Sequence, residues 1–287
     1  MARAAVVTTP AAWRDLRAAA QPGASAGLVP TMGGLHEGHL SLIRRAAAEN
    51  DLVVVSVFVN PMQFGDPADL ENYPRSLDRD LDLASDAGAS VVYAPAVETI
   101  YPAGFATSVH VSGVTERWEG ESRPGHFDGV ATVVTILLNQ IRPDRAYFGE
   151  KDWQQLVLIR GMHTDLALPG TIVACPTVRE ADGLAMSSRN SRLSDKERAA
   201  ATVLWRALTA MREMTGTGEA DALKLALMGA IIIRREPAVT LDYLQVVDPE
   251  TLEPVDIVRP GSRAIVAAMV GSTRLIDTMA LHLDEVQ

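Results

Sequence analysis

The run Leu52-Val-Val-Val-Ser-Val-Phe-Val59 constrains the fold more than any other stretch, because it is apolar everywhere except Ser56 and shows no polar alternation. A strand with one wet face alternates. One without alternation is covered on both faces, which predicts a central position in a parallel sheet. Short β-branched runs at Gly27-Leu-Val29, Ser90-Val-Val-Tyr93, Arg145-Ala-Tyr-Phe148 and Thr171-Ile-Val-Ala-Cys175 predict further strands. Helix patterns over residues 38–50, 75–87, 129–141 and 152–168 lie between them and supply the crossovers that parallel strands need.

This alternation predicts an α/β fold with a Rossmann-like, doubly wound parallel sheet. Beyond residue 176 the rhythm changes to helix patterns over 194–215 and 219–235, then strand patterns over 240–247, 263–269 and 273–283. A second, smaller α+β domain is expected, with domains at 1–177 and 178–287, and 287 residues suffice for both. Ser194 with Glu197 three residues on is a capping-box pattern, and Thr215-Gly-Thr-Gly218 is a break between the two helices. With 47% hydrophobic and 22% charged residues, disordered and collagen-like readings are excluded.

Twenty-six Lys and Arg against 36 Asp and Glu give a net charge of −10, which argues against non-specific binding to nucleic acid or to an anionic membrane. The single cysteine, Cys175, lies in an apolar run and is expected to be buried; one cysteine fits a reducing cytoplasm. Residues 1–17 lack a clean apolar core before a cleavage site, and the longest apolar stretches, 129–141 and 226–233, are shorter than a bilayer span. A soluble cytoplasmic protein is expected.

Chemistry is concentrated after the first predicted strand, in Leu28-Val-Pro-Thr-Met-Gly-Gly-Leu-His-Glu-Gly-His39. Three-residue spacing puts His36 and His39 on one face of a helical start, beside the unpaired N–H groups and partial positive charge of its N-terminus. Such a place suits an anion, and Gly33, Gly34 and Gly38 permit close backbone approach. The zinc-protease spacing of four is absent, as is the G-x-G-x-x-G of dinucleotide-binding turns. Lys151 and Arg189 stand in loops after predicted strands, where phosphate accounts for a cation better than packing does.

The string resembles the H-x-G-H signature of the nucleotidyltransferase superfamily, and Pro30-Thr-Met-Gly-Gly-Leu-His-Glu-Gly-His39 resembles the pantothenate synthetase family. Three further segments resemble it in order: Val57-Phe-Val-Asn-Pro-Met-Gln-Phe64, Phe148-Gly-Glu-Lys-Asp-Trp-Gln-Gln-Leu156, and Pro176-Thr-Val-Arg-Glu-Ala-Asp-Gly-Leu-Ala-Met-Ser-Ser-Arg-Asn190. The resemblance implies ATP-dependent condensation of pantoate with β-alanine through pantoyl adenylate, releasing AMP and pyrophosphate. It implies catalytic roles for His36, His39, Lys151, Ser187, Ser188 and Arg189, and ATP contacts from Pro30, Thr31, Met32, Gly38, Gly149, Asp152, Val178 and Met186. Gln63, Gln155, Phe64, Asn60 and His126 would bind pantoate, with Pro30 and Met32 sharing its apolar wall.

The resemblance also implies Mg²⁺ and a homodimer, with no nucleic-acid or membrane partner. The family's acidic cluster is interrupted here by Arg79 between Asp78 and Asp80, leaving Asp80 as the metal candidate. Residues 65–77, rich in Gly, Asp and Pro, are expected to form a mobile cover over the site. On the residues alone, another adenylyltransferase of the superfamily or a non-catalytic nucleotide-binding module stays open.

Overall fold

The computed structural model describes residues 3–65, 70, 71, 73 and 75–281. The described residues form two compact units, Met1–Gly149 with Leu158–Pro176, and Glu150–Val157 with Thr177–Gln287.

The first unit is a six-stranded, wholly parallel sheet of β1 (Ala5–Val7), β2 (Ala26–Thr31), β3 (Leu52–Val57), β4 (Val91–Tyr93), β5 (Arg145–Gly149) and β6 (Thr171–Cys175), in the order β1-β4-β3-β2-β5-β6. Its major helices are α1 (Pro10–Ala19), α2 (Glu37–Glu49), α3 (Leu77–Asp86) and α4 (His126–Ile141), and α5 (Trp153–Asp165) joins β5 to β6. β3 is central and buried, as its unbroken apolar run requires. Successive side chains of a strand leave on opposite faces. Val29, Val53, Val55 and Val92 accordingly share one core cluster with Leu40, Ile43, Leu81 and Ala84 of α2 and α3. Leu28 and Val54 are buried on the other face, where α4 contacts β2 and α1 packs on α4, with Trp13 Nε1 donating to the Ile141 carbonyl at 2.9 Å. Cys175 is buried.

From β2 the chain steps to β3 and β4 on one side, whereas β5 and β6 lie on the other. The strand order therefore reverses between β2 and β5, and open α/β sheets bind ligands outside the carboxyl ends of strands at such a point. The segments carrying Pro30 to His39 and Gly149 leave these two strand ends.

The second unit is an antiparallel sheet of β7 (Val239–Val247), β8 (Arg263–Val270) and β9 (Thr273–Ala280), with α6 (Asp195–Ala201), α7 (Val203–Gly216) and α8 (Ala222–Arg234). Leu204, Leu208, Met211, Leu225 and Ile233 of the helices share one core with Val246, Val266 and Ala268 of the sheet. The capping box at Ser194 and Glu197 forms, and α7 ends at Gly216. The single helix expected over 194–215 is broken at Thr202. There the Thr202 hydroxyl donates to the Ala199 carbonyl at 2.7 Å, competing for the acceptor that Val203 N–H would use in a continuous helix.

No helix among the described residues is long and apolar enough to cross a membrane. Of the cover expected over 65–77, residues 66–69, 72 and 74 lie outside the described residues, as do 282 and 283 of the last predicted strand.

Candidate active site

In the first unit, the turn leaving β2 is built to hold one shape. Thr31 Oγ1 donates to the Ser56 carbonyl at 2.6 Å and accepts from Gly33 N–H at 3.1 Å. Gly33 (φ 87°) and Gly34 (φ 64°) are left-handed, a region that glycine enters without steric cost. Asp80 of α3, 2% exposed, accepts from Gly34 N–H at 2.9 Å and Leu35 N–H at 2.8 Å, one oxygen to each. A Cβ on Gly33 would stand 2.9 Å from that carboxylate.

The strapped turn delivers His36 as the N-cap of α2. His36 Nδ1 accepts from Gly38 N–H at 3.1 Å, and His39 Nδ1 accepts from His36 N–H at 3.4 Å, so the two imidazoles form a reciprocal capping box with ring centroids 4.1 Å apart. A nitrogen that accepts carries no proton, so each neutral ring holds its proton on Nε2. The pair presents Nε2–H donors at a helix N-terminus, a suitable arrangement for an anion.

The amide cluster of the same unit lies around the 3₁₀ turn Pro61–Gln63. Asn60 is fully buried. Its Oδ1 accepts from Met62 N–H at 3.2 Å and Tyr101 O–H at 2.7 Å, while Nδ2 donates to Gln63 Oε1 at 2.9 Å and the Gly129 carbonyl at 3.0 Å. The Gln63 carbonyl accepts from His126 Nδ1 at 2.9 Å and Arg123 at 3.3 Å. Asn60 and His126 are thus placed as supports of Gln63. Phe64 meets Tyr73 edge-on, with centroids 5.7 Å apart.

In the second unit, Lys151 lies in a 3₁₀ turn over Glu150–Asp152 and bonds Asp152 at 3.5 Å. Its neighbours anchor the turn. Glu150 pairs with Arg263 at 2.6 Å, and Arg263 lies 3.5 Å from the centroid of Trp153, whose Nε1 donates to the Pro249 carbonyl. Gln155 follows, half-buried, in α5.

The loop after β6 folds back on itself, with Met186 N–H donating to the Val178 carbonyl at 3.0 Å and Asn190 tied to Glu180 and the Ala185 carbonyl. Arg179 fixes this loop to β9 through a bidentate pair with buried Asp277 at 2.6 and 2.9 Å, and lies 4.0 Å from the Trp205 centroid. Arg198 reaches both Glu180 and Asp182, which holds the Asp182 carboxyl below the usual range. Ser187 caps a short 3₁₀ turn over Ser188–Arg192 that carries Arg189.

One pocket of this unit is lined by Lys151, Ser187, Arg189, Asn190, Arg274 and Asp277, among others. Arg179 holds Asp277, the only carboxylate of those six, while Arg274 is paired with Asp242 at 2.7 Å and Lys151 lies 3.5 Å from Asp152, so the pocket brings the Ser187 hydroxyl together with three cations, two of which already face carboxylates. Ser188 lies outside the lining. Sequence reasoning missed Arg179, Asp277, Arg274, Tyr101 and Gly129. Arg179 stood inside a quoted motif, while the other four carry no local signal because their partners are distant in the chain.

Among the described residues no group of three or more His, Cys, Asp or Glu could hold a metal ion. The expectation that Asp80 binds Mg²⁺ finds no supporting ligands there, and both Asp80 oxygens are already engaged by backbone N–H groups.

Residues 5–280 match the family model described as pantoate–β-alanine ligase. The chain belongs to the pantoate–β-alanine ligase family. It is 54% identical over 261 residues to a pantothenate synthetase of Deinococcus radiodurans, covering 89% of this chain and 93% of that one. The crystal structure of pantothenate synthetase from Thermus thermophilus superposes with a TM-score of 0.91 at 50% identity, over 96% of this chain and 99% of the other. The ligase of Francisella tularensis, complexed with β-γ ATP and β-alanine, gives a TM-score of 0.79 at 32% identity, over 96% and 97% of the two chains. The four segments that carry the resemblance all lie inside the matched span of the ligase family.

Proposed function

We propose that this chain, a pantoate–β-alanine ligase, works through pantoyl adenylate. A pantoate carboxylate oxygen attacks the α-phosphorus of ATP, forming the acyl–phosphate bond as the bond to pyrophosphate breaks. The β-alanine amine then attacks the acyl carbon, forming the amide, expelling AMP and losing a proton. The observation that carries this reading is the convergence of Lys151, Ser187 and Arg189, from two separate segments, on one cationic pocket.

Lys151, Ser187, Ser188 and Arg189 stabilise the charge that develops on pyrophosphate, and the Nε2–H groups of His36 and His39 donate to phosphate oxygens. Pro30, Thr31, Met32, Gly38 and Gly149 lie along the nucleotide, Asp152 accepts from the ribose hydroxyls, and the Val178 and Met186 backbones line adenine. The Thr31 hydroxyl is used within the turn, so its contribution is made by its backbone. Gln63 and Gln155 hold pantoate against Phe64, with Asn60 and His126 supporting Gln63. Holding carboxylate and α-phosphorus in line acts together with the stabilisation of charge on pyrophosphate.

ATP enters as Mg·ATP, with the ion held by phosphate oxygens and waters. A homodimer, a cytoplasmic location and a domain boundary near residue 177, with residues 150–157 counted in the second unit rather than in a first domain of 1–177, belong to the same proposal, supported by the family resemblance, the single cysteine and the change of rhythm near residue 176. The test is an assay of AMP and pantothenate with pantoate, ATP and β-alanine each omitted in turn. Equimolar AMP and pantothenate that require all three are expected; ADP as the product would refute the reading.

A further inference from the structure

The hydrogen bonds around Asn60 have a direction that follows from chemistry alone. Met62 N–H can only donate, so the Asn60 atom it meets at 3.2 Å is the oxygen. Tyr101 O–H donates to the same oxygen at 2.7 Å. Burial pushes the Tyr101 hydroxyl up to about 12, so it keeps its proton and remains a donor. With Oδ1 engaged twice, Asn60 Nδ2 must donate. The Gly129 carbonyl can only accept, which agrees, and the Gln63 atom receiving the other hydrogen at 2.9 Å is therefore Oε1.

We propose that Tyr101 is a positioning residue for substrate recognition: through Asn60 it fixes the Gln63 amide so that the NH₂ end, and not the carbonyl end, meets the substrate. The inference rests on the reading of Gln63 as a pantoate contact and adds the polarity of that contact. Gln63 then recognises an oxygen acceptor, a carboxylate or hydroxyl oxygen of an α-hydroxy acid, and disfavours a donor in its place. Asn60, fully buried, acts only through Gln63. Packing of the Tyr101 ring against Phe58 and Phe105, with centroids 6.1 and 5.0 Å away, holds the hydroxyl in place.

Tyr101→Phe keeps that packing and removes only the donor. In the full chain the KM for pantoate should rise about 3- to 10-fold, the worth of one neutral hydrogen bond, with kcat and the KM for ATP within about twofold. An unchanged KM for pantoate, or an equal loss in kcat, would overturn the relay. Gln63→Glu compared with Gln63→Ala reads the polarity. Glutamate still accepts from Asn60 but has no hydrogen to give, so it should bind pantoate more weakly than alanine does in a calorimetric titration. Binding by the Glu variant at least as tight as by the Ala variant would mean that the carbonyl end faces the substrate. The Gln63 side-chain ¹⁵N resonance of the ligand-free protein gives a readout independent of activity. Tyr101→Phe should move it, and an unmoved resonance overturns the relay even if the wild-type protein makes no pantothenate, the result that would instead sink the ligase reading.

Discussion

His36→Asn separates the two tasks that the structure gives to one imidazole. As N-cap, His36 accepts from Gly38 N–H at 3.1 Å; as a member of the phosphate site, it presents Nε2–H. Asparagine is among the best N-caps and its side-chain oxygen can take the same N–H, so the helix end keeps its partner. Alanine cannot cap, and its cost at an N-cap is about 1 kcal/mol, which for a chain of this size lowers Tm by roughly 2–4 °C. Removing one preorganised donor from a developing charge costs about 10²–10³-fold in rate. His36→Asn should therefore melt with the wild type and release pyrophosphate about 10²–10³-fold more slowly. His36→Ala should lose both stability and rate. Pyrophosphate release in a single turnover with pantoate and ATP, together with a thermal melt, reads both. A His36→Asn protein with near-normal pyrophosphate release would refute the Nε2–H role and leave His36 as a cap alone.

Lys151→Ala should slow the first half-reaction more than the conversion of supplied pantoyl adenylate to pantothenate; equal slowing of both would remove Lys151 from the phosphate site. Gly129→Ala puts a Cβ 2.3 Å from the Met62 carbonyl oxygen and 2.9 Å from Gln63 N. Since only backbone could yield there, a loss of about 1–3 kcal/mol and a raised KM for pantoate are expected, and a variant with unchanged melt and KM would show that the contact is not tight. The Asp248 carboxyl is held below its ordinary value of 3.8 by N–H bonds from Thr251 and Glu250. Its stabilisation is therefore present above that value and is lost as pH falls through the lower folded-state value. Asp248→Asn should be less stable than wild type at pH 7, with the difference closing in acid; a gap that does not change with pH would contradict this.

Much of the first unit was legible because its information is local. A non-alternating run such as 52–59 has one good solution, and β-branched runs separated by amphipathic ones leave few topologies. β1 was not legible, because three residues, Ala5–Val7, carry too little pattern. α1 was not predicted either, although Thr9 caps it by accepting from Ala12 N–H and Pro10 opens it. The spacing of His36 and His39 pointed to a helix start, yet not to the use of both Nδ1 atoms as caps. Asp80 read as a metal candidate because a sequence shows a carboxylate but not what it accepts from, here two N–H groups more than forty positions away. Tyr101 and Asp277 were hidden for the same reason: their partners, Asn60 and Arg179, meet them only in three dimensions.

Adenylation of pantoate leaves a signature that oxygen tracing reads. With pantoate labelled by ¹⁸O in its carboxylate, attack on the α-phosphorus followed by amine attack on the acyl carbon must leave one labelled oxygen in AMP. Mass spectrometry of the nucleotide after a single turnover should find one ¹⁸O in the AMP phosphate and none in pyrophosphate. Unlabelled AMP, or label in inorganic phosphate with ADP as the nucleotide product, would mean that the pantoate carboxylate does not attack the α-phosphorus.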